Sequence, residues 1–161
     1  MSVSYWGPIT WKTLHCITYN YPINPTHQEK KMYNEFFYQI LPYLLPCQIC
    51  QRHYLRNLNS FPLAQKLNRK EDFIRWLIDI HNYINRKNGK PTINYLFANH
   101  LYQQTIYINE INQFILFHRR RTQYGQLPIM VYNRLMYFLN LTLLRTIPAV
   151  NNGQITSAQI I

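Results

Sequence analysis

The chain has 161 residues, a length suited to one domain or a small domain with an extension; 47% hydrophobic and 16% aromatic residues with only four Gly exclude general disorder and collagen-like or low-complexity classes. Seventeen Lys+Arg against six Asp+Glu give +11, divided as twelve against five over residues 1–104 and five against one beyond, a balance that suits a polyanion such as nucleic acid, an acidic membrane or a phosphorylated cofactor, or serves solubility alone. Three cysteines exclude a secreted disulfide framework, and Met-Ser-Val-Ser-Tyr-Trp-Gly-Pro has neither a basic nor an apolar region of a cleaved signal peptide.

Proline marks the segments. Pro8 is suited to opening a first helix, in which Trp11, Leu14, His15 and Thr18 recur at i, i+3, i+4 and i+7, before Tyr21-Pro22-Ile23-Asn24-Pro25 ends it. Thr26 with Glu29 three residues on predicts a capping box for a second helix, whose stripe is Met32, Phe36, Phe37, Ile40 and Leu44 and whose stop is Pro46. A third, shorter helix is expected from about Cys47 to Asn59, then a loop over Ser60–Asn68. Glu71-Asp72 suit the N-terminus of a fourth helix, with Phe73, Ile74, Leu77, Ile78, His81 and Ile84 on one face and Asn88-Gly89-Lys90-Pro91 as the stop. A short helix is expected within Thr92–Tyr102. Ile106–Arg121 and Ile129–Thr146 also read as helices, separated by Tyr124-Gly125-Gln126-Leu127-Pro128, and Asn151–Ile161 reads as a weakly ordered tail. The fold class is therefore all-α. Ile129–Ile147 approaches membrane-spanning length, but Asn133, Arg134, Asn140 and Arg145 interrupt it and favour a packing or oligomer helix. Arg119-Arg120-Arg121 reads as a solvated helix end.

Cys47-Gln-Ile-Cys50 at a helix start places the first thiol near unsatisfied backbone N–H groups and the positive end of the helix dipole, which favours thiolate and disulfide exchange. The alternatives are a zinc site, with Cys47, Cys50 and His53 joined by Cys16 or His81, and plain buried thiols; no second Cys-x-x-Cys or His-x₃₋₅-His pair accompanies the first. A thioredoxin fold is disfavoured without a βαβ pattern. Trp11 and His15 are i, i+4 neighbours on the first helix, as are His81 and Asn85 on the fourth, with Asn82 beside them. Arg86, Lys87 and Lys90 come next. Aromatic rings, imidazoles and amides succeeded by cations suit a nucleotide with its phosphates, while neither a Gly-x-Gly-x-x-Gly nor a Walker motif is present.

Trp6-Gly7-Pro8-Ile9-Thr10-Trp11-Lys12-Thr13-Leu14-His15, then Leu45-Pro46-Cys47-Gln48-Ile49-Cys50, then Phe73-x-x-Trp76-Leu77-x-x-x-His81-Asn82-x-Ile84-Asn85-Arg86-Lys87-x-Gly89-Lys90-Pro91 resembles the Erv/ALR family of FAD-linked sulfhydryl oxidases across about residues 5–102. The Trp-Gly-Pro opening and short format look most like members encoded by large DNA viruses, and the abundance of Asn and Ile fits an AT-rich coding genome.

The resemblance implies a four-helix bundle with a short fifth helix over residues 1–104, a helical extension over 105–150 and a flexible tail over 151–161. It implies FAD held by Gly7, Trp11, His15, Tyr19, His81, Asn82, Ile84, Asn85, Lys87 and Lys90, with the two lysines on the phosphates and Trp11, His81 and Asn85 at the ring edges. The implied reaction oxidises a protein dithiol, or a separate redox carrier, through Cys47 as the attacked sulfur and Cys50 as the flavin-facing one, with O₂ reduced to hydrogen peroxide and no metal. A homodimer through the first two helices, and a place in host cytoplasm and the virion, belong to the same expectation. A zinc-stabilised or basic nucleic-acid-binding module without turnover is the alternative. Two departures stand out: Ile78 and Tyr95 occupy the positions of the disulfide that braces the fourth and fifth helices in cellular members, and only Cys16 is left outside the Cys-x-x-Cys, too few thiols for an intramolecular shuttle pair.

Overall fold

The computed structural model describes residues 2–105 and 107–146; the predicted tail over 151–161 lies outside the described residues. Helix α1 (Val3–Tyr19) starts five residues before Pro8. Ser2 caps it, its hydroxyl accepting from Ser4 N at 3.2 Å, and Pro8 sits within the helix, where it has no N–H to donate to the Ser4 carbonyl one turn back. The buried Thr10, Thr13 and Thr18 hydroxyls donate to carbonyls of their own helix, at Trp6, Ile9 and His15. Helix α2 (His27–Glu35) begins with the expected capping box: Thr26 Oγ1 accepts from Glu29 N and Glu29 Oε2 accepts from Thr26 N. It continues through a π-helical turn (Phe36–Ile40) into α3 (Leu41–Leu44). The widened turn immediately precedes Pro42, which has no N–H and whose ring would strike the Tyr38 carbonyl of a regular helix.

Helices α4 (Gln48–Ser60), α5 (Lys70–Lys87) and α6 (Tyr95–Tyr102) come next, with a 3₁₀ segment at Ala64–Asn68 inside the expected loop. Gly89, at φ +64°, makes the left-handed turn that ends α5. The chain to this point is four helices, with α2 through α3 counted as one, and a short fifth helix, α6; no strand occurs among the described residues. Ile78 and Tyr95 pack in one apolar cluster with Tyr19, Ile74 and Ala98, so apolar contact holds α5 to α6.

Helices α7 (Ile108–Gln123) and α8 (Ile129–Leu141) return over the bundle, α7 along α1 and α8 along Phe36–Ile40. Ile111, Phe114, Ile115, Leu135, Phe138, Leu139 and Leu143 share one core with Leu14, Ile17, Phe36, Phe37, Phe73 and Trp76. Helix α8 is shorter than the predicted Ile129–Thr146: Thr142 leaves the helical region at φ −116°, ψ −84°, its hydroxyl donates to the Phe138 carbonyl, and a 3₁₀ segment succeeds it at Leu144–Thr146. No helix among the described residues is long and apolar enough to cross a membrane. The triple arginine differs from expectation. Arg119 and Arg120 reach solvent, whereas Arg121 is 5% exposed and bonded inward to the Leu44 carbonyl.

Phe138 tests this shared core. Its ring stacks on Phe36 at 4.1 Å between centroids and meets Tyr33 edge-on at 5.2 Å. Phe138→Ala should cost about 4 kcal/mol, the usual range for emptying an aromatic site, read as a lower urea midpoint with unchanged slope. A midpoint within experimental error of the parent would show that α8 does not belong to the cooperative core.

Candidate functional site

Helix α1 carries two clusters on different faces. Trp6 and Ile9 pack with Phe117 of α7, and Leu45, Cys47 and Cys50 lie against that apolar group. Farther along, Trp11, His15 and Tyr19, spaced by four, face α5 and α6.

At the first cluster, Cys47 is the N-cap residue of α4, and its sulfur accepts from Cys50 N at 3.3 Å. The Cys47 thiol lies below its ordinary pKa because the Cys50 thiol and then the Cys50 N–H donate to it, with Arg52 adding positive potential. Burial, then the neighbouring Cys47, pushes Cys50 up to about 11. The pair is thus polarised into an acidic outer sulfur and a more desolvated inner one. Two side chains hold the turn that leads into it: Arg121 Nη1 donates to the Leu44 carbonyl at 2.6 Å, and Gln51 Nε2 donates to the Leu45 carbonyl at 2.7 Å. Gln51 did not stand out in the sequence, and Arg121 did so only within a run expected to be solvated. Gln51 could have been found, being four residues past Cys47 on the same helix face; Arg121 carries no local signal.

At the second cluster, Trp11 and His81 stack with centroids 3.9 Å apart and planes 6° from parallel. His15 Nε2 is 3.1 Å from His81 Nδ1, and the His15 ring stacks on Tyr102 of α6 at 4.5 Å. Burial, then His81, lowers His15 to about 3; burial, then Lys90, lowers His81 to about 4. Both imidazoles are neutral near pH 7. Among the described residues His15 Nδ1 is buried without a hydrogen-bond partner, an uncommon state for a polar atom.

The remaining predicted residues divide. Tyr19 donates to Asn99 Oδ1 at 2.6 Å beside Tyr102. Asn82 is committed at both ends to the backbone of Ile93, and Asn85 Nδ2 donates to the Pro91 carbonyl at 3.0 Å, so these amides hold the α5–α6 connection. Ile84 packs at the core edge, and Lys87 Nζ lies 4.5 Å from the Tyr83 ring centre. A Cβ at Gly7 would meet only Val3 Cγ1, at an ordinary 3.6 Å. Tyr102 was missed by sequence reasoning, because only the return of α6 onto α1 brings it to His15.

Among the described residues no three His, Cys, Asp or Glu side chains converge on a metal position. Cys16, a ligand of the zinc alternative, is instead 1% exposed in the core, and burial raises its pKa.

A family model described as Erv1/Alr matches residues 8–105. The chain is 37% identical over 107 residues to a probable FAD-linked sulfhydryl oxidase of Acanthamoeba polyphaga mimivirus, covering 66% of this chain and 74% of that protein. It is 34% identical over 104 residues to an FAD-linked sulfhydryl oxidase of African swine fever virus, covering 63% and 83%. Among solved structures, the FAD-binding domain of Erv1 from Saccharomyces cerevisiae aligns with a TM-score of 0.58 at 27% identity, over 64% of this chain and 95% of that one. With the helical bundle, the Cys-x-x-Cys at the mouth of α4 and a family match that spans them both, this chain belongs to the Erv1/Alr family.

Proposed function

We propose that this protein is an FAD-dependent sulfhydryl oxidase that forms disulfides in protein dithiols, with Cys47 and Cys50 as its redox couple and O₂ as terminal acceptor. The observation that carries the reading is the polarised pair at the start of α4, both residues packed against Trp6, Ile9 and Phe117: an outer sulfur held toward thiolate and an inner one whose thiol is pushed up by burial. The viral relatives named above, which bear this activity in their names, support it.

The residues of the second cluster fit FAD. The flat Trp11–His81 stack suits an aromatic ring system, the unpaired His15 Nδ1 suits a polar edge, and Lys87 and Lys90 at the end of α5 suit phosphates. Gly7, Tyr19, Asn82, Ile84 and Asn85 complete the proposed site, the two amides by shaping the α5–α6 connection. When bound, FAD supplies the two-electron acceptor that re-forms the Cys47–Cys50 disulfide and hands the electrons to O₂, giving hydrogen peroxide.

In the protein's half of the reaction, a substrate thiolate attacks Cys47 Sγ of the Cys47–Cys50 disulfide. The S–S bond breaks, a mixed disulfide forms and Cys50 leaves as thiolate. The second substrate thiolate then attacks its own half of the mixed disulfide, releasing Cys47; the substrate is oxidised by two electrons and the cysteine pair is reduced. The low pKa of Cys47 makes it the better leaving group in that second step. A homodimer is part of the proposal; with α7 and α8 seated on α1 and Phe36–Ile40, its contact would use faces those helices leave open.

The test is the absorption spectrum of the purified protein with peroxide release from a small dithiol. Trp11→Ala and His81→Ala should each lower retained flavin by about tenfold, the loss expected for one stacking or hydrogen-bonding partner, while far-UV circular dichroism stays that of the parent. Full flavin occupancy in both variants would remove the site assignment.

A further inference from the structure

We propose that α7, which lies beyond the matched family region, positions the cysteine pair: Arg121 by holding the carbonyl end of α3 and Phe117 by backing the pair itself. The inference rests on Cys47–Cys50 being the redox couple of the proposed oxidase.

Arg121 is a buried guanidinium whose hydrogen bonds, among the described residues, go to no carboxylate. Nη1 donates to the Leu44 carbonyl at 2.6 Å and lies 3.4 Å from His118 Nδ1, and Nη2 donates to the Gln126 carbonyl at 3.3 Å. Burying an unpaired cation is expensive, and an apolar side chain would fill the same space at lower cost. The Gln126 and His118 bonds are local to the end of α7, whereas Leu44 is 77 positions away in sequence. Leu44 ends α3, where the helix leaves carbonyls without partners and its dipole is negative, so a cation there is favoured.

The link between Leu44 and the dithiol gives this contact its consequence. Leu45 and Pro46 are the whole connection from α3 to Cys47, and Pro46 has no N–H with which to fix it. The two carbonyls before Pro46 are both taken by side chains, Leu44 by Arg121 and Leu45 by Gln51. The path of the backbone into the N-cap of α4, and with it the Cys50 N–H bond to Cys47 Sγ, is therefore set partly from α7. Phe117, one turn before Arg121, packs with Trp6 and Ile9 in the group that Cys47 and Cys50 lie against. Its other neighbour, His118, is 1% exposed and pushed down to about 3 by burial and then by Arg121; as a neutral imidazole, it accepts from the guanidinium through Nδ1. One helical turn thus joins both sides of the dithiol, which makes Arg121 and Phe117 positioning residues.

The experiment uses the full chain as purified, with Arg121→Gln, Arg121→Lys and Phe117→Leu. After reduction, iodoacetamide labelling of Cys47 is tracked against pH by mass spectrometry of its peptide, and the Cys47–Cys50 disulfide is equilibrated with glutathione. In Arg121→Gln, Cys47 labelling at neutral pH should slow about threefold and the glutathione equilibrium should shift about threefold, with flavin content unchanged. Arg121→Lys, which keeps the charge and one donor head, should recover most of both; Phe117→Leu should move both in the same direction. If the labelling profile and the equilibrium match the parent in Arg121→Gln and in Phe117→Leu, α7 is a cover and the proposal fails. Should Arg121→Gln not fold, Phe117→Leu decides by the same readouts. A colourless parent without peroxide release overturns the oxidase reading instead, a result separate from the labelling comparison.

Discussion

Cys47→Ser and Cys50→Ser should each lower dithiol oxidase turnover by at least about a thousandfold, because a disulfide relay has no partial form: one sulfur cannot accept two electrons from a dithiol and remain a closed-shell disulfide. The two variants should fail differently. In Cys50→Ser the remaining Cys47 thiolate can attack the disulfide of an oxidised client, one client sulfur leaving as thiolate, and no inner sulfur remains to displace the client; a mixed disulfide should accumulate and be visible on a non-reducing gel. Cys47→Ser leaves only the inner sulfur, whose thiol burial pushes up, and should trap far less. Cys16→Ser supplies the contrast. Its thiol is buried in the core and raised by that burial, so its removal should keep most of the turnover. A loss in Cys16→Ser equal to that in Cys47→Ser, with flavin retained, would place Cys16 in the relay.

Acid should destabilise this fold steeply, and the groups responsible are three imidazoles, the buried His15 and His118 and the half-buried His81. His15 and His118 are lowered to about 3 and His81 to about 4, each mainly by burial. In the unfolded chain all three titrate near 6.5. Above that value both states hold them neutral and they contribute no pH dependence. Below it the unfolded chain binds protons that the folded chain refuses, so stability falls with pH until the folded values are reached, from about 6.5 down to between 4 and 3. By pH 5 the loss is about 2 kcal/mol for each imidazole. Urea midpoints taken at neutral pH and near pH 5 measure it. His118→Phe, which removes one titrating group inside α7, should flatten the slope by about a third; equal midpoints at the two pH values in the parent would show that these rings accept protons in the folded state.

Most of the helices, and the chemistry of the dithiol, were written in local sequence. The Thr26–Glu29 box, Asn88-Gly89 at the end of α5 and Pro46 after α3 act within a few residues, where capping and backbone geometry need no tertiary partner. The groups that polarise Cys47 are local too, Cys50 and the α4 N-terminus, although the backbone path that presents them is held from α7. Tertiary structure decided the rest. Pro8 fell inside α1 because Ser2 caps the helix upstream, and a proline in the early turns removes one bond without stopping a helix buried along its length. Arg121 sits in a run that reads as solvated; only the return of α7 along α1 sets it against the end of α3, and no spacing rule links positions 77 apart. Tyr102 and Phe117 likewise gained their places at His15 and at the cysteine pair from helix packing. The apolar stripe of α8 announced that it must be covered, but an amphipathic face records only that it needs a partner; the fold supplied Phe36 and Tyr33 of the same chain.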